Sequence, residues 1–335
     1  MFYKKIDFKE DSRYIFEASL ANNMRLHLFT LSDYERMLDM DIDGIYSLLN
    51  EKRFDISIKK IDDVINKSKR ALLDVVLKFS KEEALREYFI FPFDFINLKT
   101  IYKGWLKEEK FENLKFISNG SIQIEKLNAL YEGEETGVLH EVFAKSLKKF
   151  DNDIKDRTPF EVDIIWDKYL HQFYLEKSKE LENDFMIKVH SLRIDLKNML
   201  NLFRLKSFDK DYRTYERCFI PGGQLSLYSL SGLYKEEMDV IIGKLSYLDY
   251  HNEMKKGLDD FRRNENLSGL ERELEKFLMK YINQAANRIF NFDVIVAYYW
   301  LKEIEINNLR LLLTAKTNSI DKNWILSKLR VIDNG

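Results

Sequence analysis

Three short polar patterns stand out in this chain, each a carboxylate residue followed three positions later by an asparagine and then by an apolar residue. Residues three positions apart lie on one face of a helix, so each pattern sets a carboxylate acceptor beside an amide that both donates and accepts. A buried pair of this kind must find hydrogen-bond partners. The pairs are Asp94 with Asn97, Asp195 with Asn198, and Glu305 with Asn308. We expect each pair to fix the crossing of two helices within its own part of the chain.

The pairs also allow a functional interpretation, in which their helices line a shared central surface for a partner. Basic residues near the pairs would then be presented to that partner. The candidates for this interface are Lys99, Lys103, Arg204, Arg310 and Lys316. The sequence leaves both interpretations open.

An acidic cluster offers a different chemistry. Asp39, Asp41 and Asp43 could bind magnesium, as in helical enzymes that act on diphosphates. Such enzymes need a second, facing acidic motif, and none is evident in this sequence. A capped helix start is therefore the favoured interpretation of the cluster, and the metal-dependent enzyme stays an alternative. A helical scaffold without a specific chemistry is a third interpretation.

No other arrangement of reactive residues is evident. The five histidines lack the spacing that puts two metal ligands on one helix face. Gly243-Lys244 is followed by Leu245 and has no upstream glycine, so it does not form a phosphate-binding loop. Cys218 is the single cysteine, which excludes an internal disulfide and is typical of a reducing compartment. We therefore expect no catalytic residue, no metal and no cofactor, in a protein that is not an enzyme.

Composition indicates the elements that must position these residues. Of 335 residues, 12 are glycine and 3 are proline, well below the average usage of about 7% and 5%. Few helix breakers and 45% hydrophobic content favour long helices with short connections, and we predict an all-α fold. The net charge of −2 gives no electrostatic footprint for nucleic acid or anionic lipid.

The N-terminal part of the chain shows clear helical periodicity. Residues 14–49 predict two or three helices, with N-caps at Asp11-Ser12 and Ser32-Asp33. A further helix is predicted over residues 57–89, and Pro92 is expected at or near the start of the next one. Later in the chain, a loop at residues 156–159 is followed by a predicted helix over 166–181.

Three markers recur in the same order, which predicts three related units. The first marker closes an apolar stretch at Phe54-Asp55, Phe150-Asp151 and Leu248-Asp249, and the acid–asparagine pairs are the second. The third is a glycine turn at Phe116–Gly120 and Phe219–Gly223. The period of about a hundred residues exceeds the roughly 20–50 residues of solenoid repeats. We predict units at 1–126, 127–230 and 231–335 around a pseudo-threefold axis, with the third shortened because it lacks the glycine turn.

The C-terminal segment carries a specific resemblance to a known family. Its match rests on Ala297-Tyr298, Glu303–Arg310 and Lys316, with support from Phe219–Gly223 and from Leu31-Ser32, Tyr34, Leu38 and Ile45–Leu49. On these residues the whole chain resembles the C subunit of bacterial and archaeal V/A-type ATPases, which is homologous to the d subunit of the eukaryotic V-ATPase. Where that family commonly has Gly-x-Glu-Pro before its final long helix, this chain has Asn291–Val294, in which Asp293 keeps the carboxylate.

The resemblance implies a funnel-shaped, all-helical fold of three similar subdomains. It also implies a non-catalytic rotor subunit, present in one copy on the cytoplasmic face of the membrane rotor ring, that receives the central stalk. Such a protein transmits torque between ATP hydrolysis or synthesis and the transport of protons or sodium ions. We expect a peripheral protein, because the longest uncharged stretch, Phe219–Tyr234, is too short to span a membrane. We also expect the protein to be monomeric when it is alone.

Overall fold

Every regular element in the described part of the chain is a helix, which confirms the all-α prediction. The structure is a computed structural model that describes residue 3 and residues 6–134, 139–145, 147, 159–288 and 290–331, with the backbone alone at 159–161, 286 and 287. The α-helices are α1 (Ile15–Arg25), α2 (Leu31–Asp39), α3 (Ile42–Glu51), α4 (Ile61–Phe79), α5 (Glu83–Leu106), α6 (Ile124–Tyr131), α7 (Pro159–Glu180), α8 (Asp184–Ser207), α9 (Tyr212–Cys218), α10 (Leu227–Ser231), α11 (Met238–Lys244), α12 (His251–Asn264), α13 (Ser268–Asn283), α14 (Asp293–Thr317) and α15 (Lys322–Lys328).

The helices separate into two compact bodies. The terminal body comprises Met1–Ser80 and Met238–Gly335, and the central body comprises Lys81–Glu237. In the terminal body, α1 and α4 both pack on α14, and α12 pairs with α13. In the central body, α7 packs against both α5 and α8. The division into units 1–126, 127–230 and 231–335 stays a prediction.

The first helices begin where side chains satisfy their free amides. The Thr30 side chain accepts from the Asp33 N–H at 3.2 Å, and the Asp33 carboxylate accepts from the Thr30 N–H at 2.8 Å. This reciprocal capping box starts α2. The cap predicted at Ser32-Asp33 is therefore wrong, because Asp33 acts as the third helical residue of the box. Asp11 caps the short 3-10 helix Ser12–Tyr14, as predicted.

Helix α5 shows packing prevailing over local sequence. The helix predicted over 57–89 is two helices, since α4 ends at Phe79 and α5 begins at Glu83. Pro92 lies inside α5, so its prediction as a helix start is wrong. A proline at this position removes the N–H that the Tyr88 carbonyl would bond. Most of the side chains along α5 are buried, and tertiary packing of this kind supplies most of a helix's stability.

Aromatic side chains fill the core of the central body. The ring of Phe95 lies against those of Phe143 and Trp166, with centroid distances of 5.4 and 6.2 Å. The Tyr88 hydroxyl lies 2.7 Å from Nε2 of His190, which joins α5 to α8. Burial lowers the pKa of His190 well below its usual value, so this ring is a neutral core histidine.

The remaining sequence predictions divide between confirmed ones and ones outside the described residues. The helix predicted over 166–181 is α7, which begins earlier, at Pro159. The marker Phe150-Asp151 and residues 156–158 of the predicted loop lie outside the described residues. Within the described part, no helix has both the length and the apolar character that crossing a bilayer requires.

Candidate functional site

The acid–asparagine pairs lie on the three longest described helices, α5, α8 and α14. All six side chains are buried, with exposed fractions of 0% for Asp94, Asp195 and Asn198, 1% for Asn97, 3% for Asn308 and 4% for Glu305. We call each pair an anchor and number the anchors along the chain. Burial requires every anchor to find its hydrogen-bond partners inside the protein.

Each asparagine side chain forms two hydrogen bonds with the backbone of a single residue. Its amide nitrogen donates to that residue's carbonyl, and its amide oxygen accepts from the same residue's N–H. The distances are 2.9 and 2.8 Å for Asn97 with Ile117, 2.8 and 2.9 Å for Asn198 with Ile220, and 2.8 and 3.1 Å for Asn308 with Arg330. Both hydrogen-bonding groups of an irregular backbone segment are thereby satisfied.

The acids of the first two anchors bind backbone that lies four or five positions after the residue bound by the asparagine. Asp94 accepts from the N–H and the hydroxyl of Ser121 at 2.9 and 2.8 Å, and from the Ile122 N–H at 2.9 Å. Asp195 accepts from the N–H groups of the two residues that precede the N-cap of α10, at 3.0 and 2.9 Å; these are Gln224 and Leu225. Each carboxylate therefore fixes the path of the chain into the next helix.

The glycine turns exist because the backbone comes very close to these carboxylates. A Cβ on Gly120 would lie 2.2 Å from Oδ1 of Asp94, and one on Gly223 would lie 2.0 Å from Oδ1 of Asp195. No side chain fits at such distances without displacing the carboxylate. The recurring Phe-Ile-x-x-Gly sequence thus encodes an isoleucine held by the asparagine and a glycine under the acid.

The third anchor keeps the asparagine contact and changes the acid contact. Glu305 accepts from the N–H of Phe29, near the other end of the chain, at 2.7 Å, and it pairs with Lys302. Asn308 also donates to the Tyr34 hydroxyl at 3.3 Å. Burial raises the pKa of Tyr34 well above its usual value, and the Glu305 carboxylate adds to the rise, so this hydroxyl is neutral.

The contacts show what the pairs bind. The anchors bind irregular backbone segments that lead into short helices, and their side chains are buried. The role of the pairs in fixing helices or in lining a surface for a partner stays a prediction. Sequence reasoning missed Arg330, which takes the place of Ile220 although no glycine turn is recognisable there. The spacing carried the signal, because Asn198 to Ile220 and Asn308 to Arg330 both span 22 residues.

Two of the predicted interface residues lie in an internal ion-pair network. Lys99 and Lys103, on α5, reach Asp163 on α7 at 2.7 and 2.8 Å. Burial alone would raise the pKa of Asp163, but the two lysines lower it below its usual value. Asp167 bridges Lys99, at 3.4 Å, and Lys197 on α8, at 2.8 Å. The network joins three helices of the central body.

The other three predicted interface residues lie apart from this network. Arg204 is half-buried near the end of α8. Arg310 is 47% exposed on α14 and approaches Asp62 at 3.4 Å. Lys316 donates to the Leu38 carbonyl at 2.8 Å, within the last turn of α2. The role of these residues in binding a partner stays a prediction.

The acidic cluster is a helix start. Asp41 accepts from the Gly44 N–H at 2.7 Å and caps α3, as the favoured interpretation predicted. Asp43 pairs with Lys59 at 2.7 Å, and Asp39 pairs with Lys322. Across the residues that the structure describes, no group of three or more histidine, cysteine, aspartate or glutamate side chains is placed to hold a metal ion.

A cavity of about 120 Å³ lies beside the third anchor. Both segments that meet at this anchor contribute to its wall, which includes Leu28, Phe29, Glu305, Asn308, Arg330 and Val331. At the first two anchors, the residue bound by the asparagine and the residue bound by the acid belong to one continuous segment. At the third anchor they are Arg330 and Phe29, from two separate segments, and both line this cavity.

Comparison with known proteins places the chain in a family. The sequence model of the ATP synthase (C/AC39) subunit family matches residues 19–328, which contain all three anchors. The chain belongs to this family. The resemblance found on the C-terminal segment is thereby confirmed over nearly the whole chain.

Individual members of the family are distant in sequence. The C subunit of the A-type ATP synthase of Methanosarcina acetivorans is 22% identical over 354 aligned positions, which cover 97% of this chain and 94% of that protein. The protein of the same name from Methanosarcina mazei is 22% identical over 217 residues, or 59% of this chain. The match spans about three fifths of the length of the Methanosarcina mazei and Methanosarcina barkeri proteins, at 60% and 62%.

Proposed function

We propose that this protein is the non-catalytic C subunit of a V/A-type ion-translocating ATPase, a socket that couples the central stalk to the membrane rotor ring. Membership of the ATP synthase (C/AC39) subunit family carries the proposal. In this role the protein transmits torque between ATP hydrolysis or synthesis and the transport of protons or sodium ions. It sits as one peripheral copy on the cytoplasmic face of the membrane, and alone it is a monomer.

The anchors support a mechanical role. A rotor adapter must keep its helices in register while load passes through it, and irregular segments are where a helical protein yields first. The anchors tie such segments to the three longest described helices with buried, doubly bonded contacts. We propose that three similar subdomains built on these helices surround a pseudo-threefold axis and form a funnel that receives the stalk.

The docking surface requires exposed basic residues that are not needed for folding. Arg310 meets this condition better than Lys99, because Lys99 bonds two aspartates within the chain. Charge reversal in Arg310→Glu should weaken assembly with the ring while leaving the helical content unchanged. Normal assembly and coupling of this variant would show that docking uses another surface.

Affinity purification of the tagged chain from gently solubilised native membranes tests the proposal. Co-purifying proteins are identified, and their molar ratios to the chain are measured. We expect a small ring-forming membrane protein in several copies together with stalk and ATP-hydrolysing subunits. Recovery of the chain without any of these proteins would contradict the proposed role.

A further inference from the structure

A third repeated contact accompanies each anchor. Eleven positions after the acid, a side-chain nitrogen donates to a backbone carbonyl at or near the end of a short helix. The donors and acceptors are Trp105 with Tyr131 at 2.9 Å, Lys206 with Tyr234 at 2.6 Å, and Lys316 with Leu38 at 2.8 Å. Tryptophan and lysine thus do the same work at equivalent positions.

The acid of each anchor binds the opposite end of the same short helix. In every case the acid accepts from the residue directly before the N-cap, and the carbonyl bound by the third contact lies nine positions after that residue. The amide donors are Ile122 before α6, Leu225 before α10 and Phe29 before α2. Two independent contacts therefore relate α2 to the third anchor as α6 and α10 relate to the first and second.

The ends of the three long helices are equivalent as well. Fourteen positions after each acid, a residue adopts a left-handed backbone, namely Glu108 at φ 51°, Asp209 at φ 51° and Ser319 at φ 54°. The N–H of the following residue then bonds the carbonyl five positions back, at 3.0, 2.9 and 2.9 Å. These helix terminations match in detail, so the contacts described above occupy truly corresponding places.

We propose that the three anchors form a closed cycle, in which the first anchor binds α6, the second binds α10 and the third binds α2, so that α2 takes at the third anchor the place that the following short helix takes at the first two. The N-terminal segment is then the partner of the C-terminal long helix, and the third unit is completed by both ends of the chain. This inference rests on the three-unit part of the proposed function and not on the partners of the protein.

The third anchor, where the cycle closes, differs from the first two anchors in how its two bound segments are connected. At the first two anchors, four residues link the asparagine-bound residue to the amide donor, at 118–121 and 221–224. At the third, Arg330 and Phe29 belong to segments far apart in sequence, and the cavity of about 120 Å³ lies where they meet. The Glu305 and Lys316 contacts, with the packing around them, then substitute for a covalent link at this junction.

Substitution of the side-chain donor at position 316 tests the cycle. Lys316→Trp installs the residue that serves at position 105, and Lys316→Leu removes the donor. Hydrogen–deuterium exchange of residues 31–42 is measured by mass spectrometry in the full chain. We expect exchange on the order of tenfold faster in the leucine variant and within about twofold of the natural chain in the tryptophan variant, because equivalent places accept equivalent donors.

Two results of the experiment on the Lys316 variants would overturn the proposal. Fast exchange in both variants would overturn the proposal, because a tryptophan that works at position 105 would fail at a place said to be equivalent. Unchanged exchange in both variants would overturn it too, since the contact would then hold nothing. Neither result depends on which complex the protein joins, so failure here is distinct from failure of the purification experiment.

A second pair of variants assigns each acid to its helix. Glu305→Gln should speed exchange in residues 29–39 and leave residues 225–234 unchanged, and Asp195→Asn should do the reverse. Each amide substitution keeps the size of the side chain and removes its charge, so the fold is preserved. Faster exchange of residues 29–39 in the Asp195 variant, or none in the Glu305 variant, would contradict the cycle.

Discussion

The central and terminal bodies solve one structural problem in two ways. In the central body, the acid of an anchor binds backbone that lies 27 to 30 positions later in the sequence, and a glycine lies against the carboxylate. In the terminal body, the acid is a glutamate, longer by one methylene, that reaches Phe29 across 276 positions of sequence. The asparagine contact is the same in both. The asparagine therefore fixes an irregular backbone segment in the same way at every anchor, while the acid determines which short helix packs at that anchor.

The largest expected effect comes from filling the space against a central carboxylate. Gly223→Ala places a Cβ 2.0 Å from Oδ1 of Asp195 and 3.2 Å from the Ser191 carbonyl. Overpacking of this kind should lower the free energy of unfolding by about 3 kcal/mol, measured by urea unfolding. Gly232→Ala is the matched control, because its Cβ meets no atom within 4 Å. Equal stabilities of the two variants would show that the carboxylate yields freely.

The next largest effect should come from removing the asparagine of an anchor, and it should be larger in the central body than in the terminal body. Asn198→Ala leaves both backbone groups of Ile220 without partners, and Ile220 is fully buried. We expect a loss of about 2–3 kcal/mol in the free energy of unfolding. Asn308→Ala should cost about 1–2 kcal/mol, because Arg330 is half-exposed and water can replace the lost bonds. A larger loss for Asn308→Ala would reverse the comparison.

The first anchor should also show in the pH dependence of stability. Burial raises the pKa of Asp94 above its usual 3.8 more than the hydrogen bonds from Ile122 and Ser121 lower it. The folded chain then holds this proton at pH values where the unfolded chain has lost it. The contribution of Asp94 to the free energy of unfolding therefore falls as pH rises from 3.8 through the raised pKa.

Asp94→Asn removes this dependence and isolates it from other titrating groups. The variant should gain stability relative to the natural chain as pH rises through that interval, in urea unfolding series at matched pH. Asp163 and Asp167, whose pKa values are lowered, titrate alike in both chains and drop out of the difference. A difference that shrinks as pH rises would show that the hydrogen bonds outweigh burial at this carboxylate.

The smallest expected effects concern the basic residues. Lys99→Met removes contacts to two aspartates from a side chain that is 24% exposed, and should cost about 1 kcal/mol. Arg310→Met removes a single contact between exposed groups, and should cost about 0.3 kcal/mol. Thermal unfolding of the two variants measures both. If Arg310 proved the more costly, it would be part of the fold and unsuited to docking.

The sequence contained the anchors but not their partners. Three carboxylate-x-x-Asn pairs and two glycine turns were recognisable because local spacing and residue type define them. The partner of Glu305 was not, since Phe29 lies near the other end of the chain and no local rule relates the two. Pro92 was misplaced for a related reason, because the buried side chains around it are set by tertiary packing. The contact between Lys316 and the Leu38 carbonyl on α2 was not recognisable for the same reason, because these two residues are equally distant in sequence.

The proposed coupling role is tested most directly by ATP-driven ion uptake in membrane vesicles that contain the parent ATPase with and without this protein. Complexes that lack the protein should hydrolyse ATP without driving ion uptake, and adding the purified chain back should restore uptake in proportion to the amount bound. Full ion uptake in its absence would contradict a role for this protein in joining the stalk to the ring.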